Sequence, residues 1–161
     1  MKSIMMSVQP KWVDKILKGE KTIEVRKKKP KLEPPFKVYI YCTTVKNMNL
    51  NDYVKLHSTT NGECDRRQSR VVAEFMCNEI SNIFCTKFWK DCDEYVHYVF
   101  KDKLTLEFSC LEFPELDKYL KQKDGCSYHI SDLVVYDIPK KLSDFDINKA
   151  PQSWCYVEEI K

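Results

Sequence analysis

"SVQPKWVDKILKGEKTIEVRKKKP", residues 7 to 30, decides how the chain is read. Pro10 suits the first position of a helix, where its missing N–H costs nothing. Behind it, Trp12, Val13, Ile16 and Leu17 fall on one helical face and Lys11, Asp14, Lys15 and Lys18 on the other. Gly19 is placed to stop that helix. The period then changes to two. In "KTIEVR", Ile23 and Val25 point one way and Thr22, Glu24 and Arg26 the other, so a strand follows. Strand, helix and charged strand in so short a span set the fold class as mixed α+β.

Outward from this core, "KSIMMSV" reads as a strand before the helix and "KVYIYC" as a strand after the turn at Pro34 and Pro35. Its Tyr39 and Tyr41 alternate with Val38, Ile40 and Cys42 and are assigned to the polar face. Residues 43–69 are polar and poorly patterned, and a long loop is expected there. "RVVAEFMC" is apolar on both faces, as a central strand is. "FWKDCDEYVHYV" carries a helical stripe, Phe88, Trp89, Cys92, Tyr95, Val96 and Val99, and "PELDKYLKQ" is a short helix ending near Gly125, so residues 81–125 are expected to be a helical insertion. "LTLEF" fits helix and strand equally. "CSYHI" and "LVVYDI" are strands parted by a turn at Ser131–Asp132, "KKLSDF" is a tie-down turn, and "SWCYVEE" is the last strand. Few helices separate successive strands, which argues against a doubly wound parallel sheet and for a small, β-rich barrel with helices packed on it, in one domain over residues 1–161.

The chain has 161 residues, 43% hydrophobic and 32% charged, a globular composition without a membrane-spanning run. Its N-terminus has no signal-peptide pattern, and its eight cysteines show no C-x-x-C spacing. Reduced thiols in a cytoplasmic protein are expected, with no metal and no cofactor. Net charge is only +3. Between Glu20 and Lys31, however, six basic residues meet two acidic ones. Positive potential concentrated in one segment suits a phosphate or a polyanion.

The run at residues 7–30, with its G-x-K-T-x-E-x-R stretch from Gly19 to Arg26, resembles the signature of the ASCH domain, named for activating signal cointegrator-1 homology. At the other end, "YHISDLVVYDIPKKLSDF" and "PQSWCYVEE" resemble small stand-alone ASCH proteins of bacteria and their phages. The two matches span roughly half the chain. The resemblance implies a PUA-like β-barrel with a cleft beside the first helix, and RNA or a modified nucleoside as partner. One bacterial branch of the family is an amidohydrolase of N4-acetylcytidine, with a lysine and a threonine in the same run. Its lysine falls on Lys21, but its threonine position holds Glu24, so the hydroxyl nucleophile is displaced.

The candidate site residues follow from both readings. Lys21 and Glu24 are the candidates for proton transfer, and Glu24 can equally accept from an exocyclic amine. Arg26 offers a fixed fork of donors to a phosphate or a base edge. Lys27, Lys28 and Lys29 can track a phosphate backbone, with Lys11 and Thr22 beside the cleft. Tyr41 and Trp154 are candidates to stack a base, although core packing explains a strand tryptophan as well. His129 belongs to the same region by resemblance; a hydrogen-bonded strand histidine is expected rather than a triad with Ser127 and Asp132, since neighbours on one strand rarely make one. Three functions stay open: an RNA-binding domain, a small hydrolase of the N4-acetylcytidine amidohydrolase or ribonuclease type using Lys21 and Glu24, and a non-catalytic interaction module whose charged strand is only solvated.

Overall fold

A computed structural model describes residues 1–44, 67–90, 93–101 and 105–160. The long loop expected over 43–69 lies, at 45–66, outside the described residues. The element order is β1 (Lys2–Val8), α1 (Pro10–Leu17), β2 (Ile23–Arg26), β3 (Phe36–Cys42), β4 (Arg70–Lys90), β5 (Asp93–Phe100), α2 (Thr105–Ser109), α3 (Phe113–Leu120), β6 (Gly125–Lys140), a 3-10 turn (Leu142–Phe145) and β7 (Trp154–Glu158). The chain is mixed α+β and dominated by strands. Hydrogen bonding orders them β2-β6-β4-β3-β1-β7, with β5 on β4. That path has two ends, so the pairings among the described residues do not close the barrel expected from the sequence.

The chain divides into two compact units. The first comprises Met1–Gly19, Phe36–Met76 and Asp132–Lys161. Here β1 runs parallel to β3, with Ile4 opposite Val38, and antiparallel to β7, with Ile4 opposite Tyr156. Both faces of β1 are covered, so Ser3 to Val8 are all buried, the two serines included. α1 begins at Pro10, buries Val13 and Ile16, and ends at Gly19, whose φ of 75° is the left-handed region that glycine enters without a Cβ penalty. Tyr39 and Tyr41, expected on a polar face, are instead buried with Met5, Val71, Phe145 and Val157. The tie-down turn delivers Phe145 to that core, where its ring meets Tyr39 edge-on at 4.7 Å.

The second unit comprises Glu20–Pro35 and Cys77–Ser131. In it β2 pairs antiparallel with the first part of β6, Ile23 opposite His129 and Arg26 opposite Cys126. The later part of β4 forms a hairpin with β5, Ile83 opposite Phe100. This corrects the helix expected over residues 88–99 and, with it, the first part of the helical insertion. Ile83 and Tyr98 turn inward onto Val25, Leu116 and Leu120, while Phe84, Phe88, Tyr95 and Val99 turn outward. Apolar residues on both faces of a strand blur its period of two into an apparent helical stripe, and β-branched and aromatic side chains settle the choice toward strand. The helices of the insertion are α2 and α3. α3 starts with a reciprocal capping box between Glu112 and Glu115 and buries Leu116 and Leu120, one turn apart. A second correction concerns Ser131–Asp132: β6 runs through it as one strand, with Asp132 in a left-handed conformation at φ 47° that aspartate tolerates better than most residues.

Candidate nucleic-acid interface

The charged run of β2 does not lie on open solvent. Lys21, Glu24 and Arg26 are only 2%, 6% and 6% exposed. Lys21 Nζ donates to the Ser109 carbonyl oxygen at 2.5 Å and lies 3.2 Å from Glu24 Oε2. Arg26 Nη2 lies 3.0 Å from Glu24 Oε1. The strand period aims Glu24 and Arg26 to one side, and the turn at Gly19 brings Lys21 back over them. Two buried cations thus share one carboxylate. Charges held out of water persist only when paired and hydrogen-bonded, which is what Glu24 and the Ser109 carbonyl provide. Glu24 Oε2 is buried and takes no hydrogen bond, so its contact with Lys21 is ionic and one acceptor site remains open.

Backbone bonds hold this strand from both sides. The Thr22 amide donates to the Phe108 carbonyl and the Ile130 amide to the Thr22 carbonyl, each at 2.9 Å. The Thr22 side chain is exposed and outside β2, so the structure does not add it to the buried cluster. Tyr119 on α3 flanks Arg26; burial pushes its phenol above the ordinary value, and the guanidinium opposes that. Lys27 Nζ sits 5.2 Å from the centre of the same ring.

Past Arg26 the chain surfaces. Lys27, Lys28 and Lys29 are exposed and line an open hollow of about 350 Å3 with Asn82, Asp124, Gly125 and Cys126. The Tyr128 hydroxyl donates to the Lys28 carbonyl at 2.9 Å, and Cys126 Sγ lies 3.4 Å from the Arg26 carbonyl, so the loop is tied to β6. Burial pushes the Cys126 thiol up to about 11, which keeps it protonated. Gly125 is required by space: a Cβ there would meet Leu120 Cδ2 at 2.8 Å and the Arg26 carbonyl at 3.1 Å. Three lysines against Asp124 make the hollow positive.

His129 belongs to the same unit, opposite Ile23; its Nε2 is buried and takes no hydrogen bond. The other candidates belong to the first unit. Lys11 is exposed, with Nζ 4.1 Å above the Trp12 ring. Tyr41 is in the core, and Trp154 is half-buried in an edge contact with Tyr156 at 5.3 Å. Nothing local marks Tyr119, Asn82 and Asp124, which meet β2 from far along the chain; Gly125, expected as a helix stop, instead opens β6, five residues past the end of α3 at Leu120. Among the described residues no group of three His, Cys, Asp or Glu side chains is placed to hold a metal ion, and no helix is long and apolar enough to cross a membrane.

A family model for the ASCH domain matches residues 6–50, the stretch from β1 past β3. No curated protein sequence matches the chain. Among solved structures, ASCH from Zymomonas mobilis superposes with a TM-score of 0.61 at 14% identity, covering 98% of this chain and 88% of that one. Two single-substitution variants of that protein give 0.61 at 14% identity, covering 99% and 92%, and 0.61 at 13%, covering 98% and 89%. At such identity the likeness is one of fold. The match at residues 6–50 and the shared fold make the chain similar to ASCH domains in its N-terminal stretch and in its architecture.

Proposed function

We propose that the chain binds single-stranded nucleic acid, RNA in the first place, on a PUA-like scaffold, with the phosphates held by Lys27, Lys28 and Lys29. The observation that carries this reading is the lysine-lined hollow at the end of a strand whose own charges are buried and locked. A rigid floor under three consecutive exposed lysines is suited to a backbone of regularly spaced charges. The general association of ASCH domains with RNA supports the choice of polyanion. An open hollow along a lysine run favours a strand over a single enclosed nucleoside. Hydrolysis by Lys21 and Glu24 is less favoured: Lys21 is engaged by the Ser109 carbonyl and Glu24, and a carboxylate stands where the amidohydrolase branch needs a hydroxyl.

The test is the salt dependence of affinity for a short oligouridine RNA. Each lysine that holds a phosphate contributes about 0.7 to the slope of log affinity against log salt for a single strand. Replacing Lys27, Lys28 and Lys29 together by Gln should lower that slope by about 2 and weaken binding at low salt. Absence of binding to oligouridine even at low salt would overturn the reading.

A further inference from the structure

The β4–β5 hairpin of the second unit presents an outer face that the core does not explain. Along β4, Ser81 and Ile83 are buried while Asn82 and Phe84 are exposed, so alternation sends Asn82, Phe84, Thr86 and Phe88 to the outside. The register places Val99 opposite Phe84 and Tyr95 opposite Phe88, and His97 between them is exposed as well. Phe84 is 51% exposed, Phe88 50%, Tyr95 44% and Val99 44%, although each is large and apolar. Phe88 and Tyr95 stack with ring centres 5.4 Å apart and planes inclined by 13°. Scattered exposed hydrophobes need no account, but an aromatic row confined to one face of one hairpin does.

The row also begins at the basic hollow. Asn82 lines the hollow with Lys27, Lys28 and Lys29, and Phe84 is the next residue on its face of the strand. From Phe84 to Phe88 is about 14 Å along the strand, enough for more than one base. Positive charge for the backbone thus adjoins exposed rings for the bases, the pairing that single-strand binding surfaces use. We propose that this outer hairpin face is a base-stacking platform, and that a nucleic-acid strand anchored by its phosphates at Lys27–Lys29 lays its bases on Phe84 and on the Phe88–Tyr95 pair. The inference rests on the binding reading above and adds which side chains hold the bases.

The experiment compares oligouridine with an abasic ribose-phosphate strand of the same length. Phe84 and Phe88 are exposed, so Phe84→Ala and Phe88→Ala should leave urea unfolding nearly unchanged. Each should weaken oligouridine binding between about five-fold and a hundred-fold. Neither should alter abasic-strand binding or the salt slope, because no phosphate contact is lost. Phe88→Trp should retain affinity, whereas Phe88→Leu, which keeps apolar area without a ring, should lose it. If the Ala variants bind oligouridine as the wild type does while the lysine variants are weakened, the platform is wrong and phosphate anchoring stands. If neither strand binds at low salt, both readings fall. If sedimentation finds a wild-type dimer that Phe84→Ser converts to monomer, the face is a contact between copies and the platform is overturned.

Discussion

Glu24 in the second unit and Glu74 in the first each face two partners, in different surroundings. Glu74 sits on β4, takes Lys37 Nζ of β3 at 2.8 Å and a short hydrogen bond from the Tyr136 hydroxyl of β6, and keeps 18% of its side chain in contact with solvent. One anion meets one paired cation and one neutral donor there, with the Lys140 charge acting on it as well, and the cluster braces three strands. Glu24 meets two cations from its own segment, with all three side chains at 8% exposure or less. Lys21 ties it to the Ser109 carbonyl of α2, and Arg26 reaches Tyr119 of α3. The first arrangement is what a structural brace requires. The second holds three charged side chains out of water, next to three exposed lysines. Burial depth, more than the number of contacts, separates them.

The comparison breaks first at Glu24. In Glu24→Gln the two buried cations lose their shared anion, and removal of one partner from a buried ion pair costs about 3–5 kcal/mol. Urea unfolding of Glu24→Gln should show a loss of that size. Replacing Lys21, Glu24 and Arg26 together by Met, Leu and Met should recover much of it, since a buried ionic cluster often adds little over apolar side chains of similar volume. A loss below about 1 kcal/mol for Glu24→Gln would place the cluster in water and remove the distinction from Glu74.

What could be read from the sequence follows from how local each cause is. Pro10, Gly19 and the change of period between Leu17 and Ile23 are local, and α1 and β2 stand where they predict. The short helix expected over residues 114–122 is α3, Phe113–Leu120. The β4–β5 hairpin was not legible, because its outward face is as apolar as its inward one and the alternation that marks a strand disappears. Neither was the continuity of β6, because a left-handed residue inside a strand leaves the same signature as a turn. Of the site, alternation placed Glu24 with Arg26, and the turn placed Lys21 beside them. Burial was not legible, since it depends on Ser109, Tyr119 and Cys126, which reach β2 through pairings that no local pattern encodes.

A second test concerns acid. At Glu74 burial works to raise the carboxyl, but the hydrogen bonds from Lys37 and Tyr136 outweigh it and hold the group below its ordinary value of 4.5. A carboxyl lowered on folding binds its proton more readily in the unfolded chain. Its contribution is therefore complete above 4.5 and is lost as pH falls through the lower, folded value. Unfolding measured from pH 7 down to pH 3 should show wild type losing more stability than Glu74→Gln across that window, with the two differing at neutral pH by about 1–3 kcal/mol. Parallel curves would mean that Glu74 gains nothing from its partners. The brace would then be no stronger than a surface pair.

The smallest effect belongs to such a surface pair. Lys18 Nζ lies 2.9 Å from Asp14 Oδ2, one helical turn earlier on α1, and the lysine side chain is 54% exposed. The acid stands N-terminal to the base, the favourable order for the helix dipole. Water and salt screen the pair nonetheless, and two side chains lose freedom to form it. Lys18→Ala should therefore cost no more than about 0.5 kcal/mol, and the difference should vanish at high salt. This variant fixes the scale for the other two. A distance near 3 Å recurs in Lys18–Asp14, Lys37–Glu74 and Arg26–Glu24, so the same geometry should span an order of magnitude in cost according to how much water reaches it. If Lys18→Ala proved as damaging as Glu24→Gln, contact geometry rather than burial would govern these clusters, and the functional weight given to the buried one would lose its physical basis.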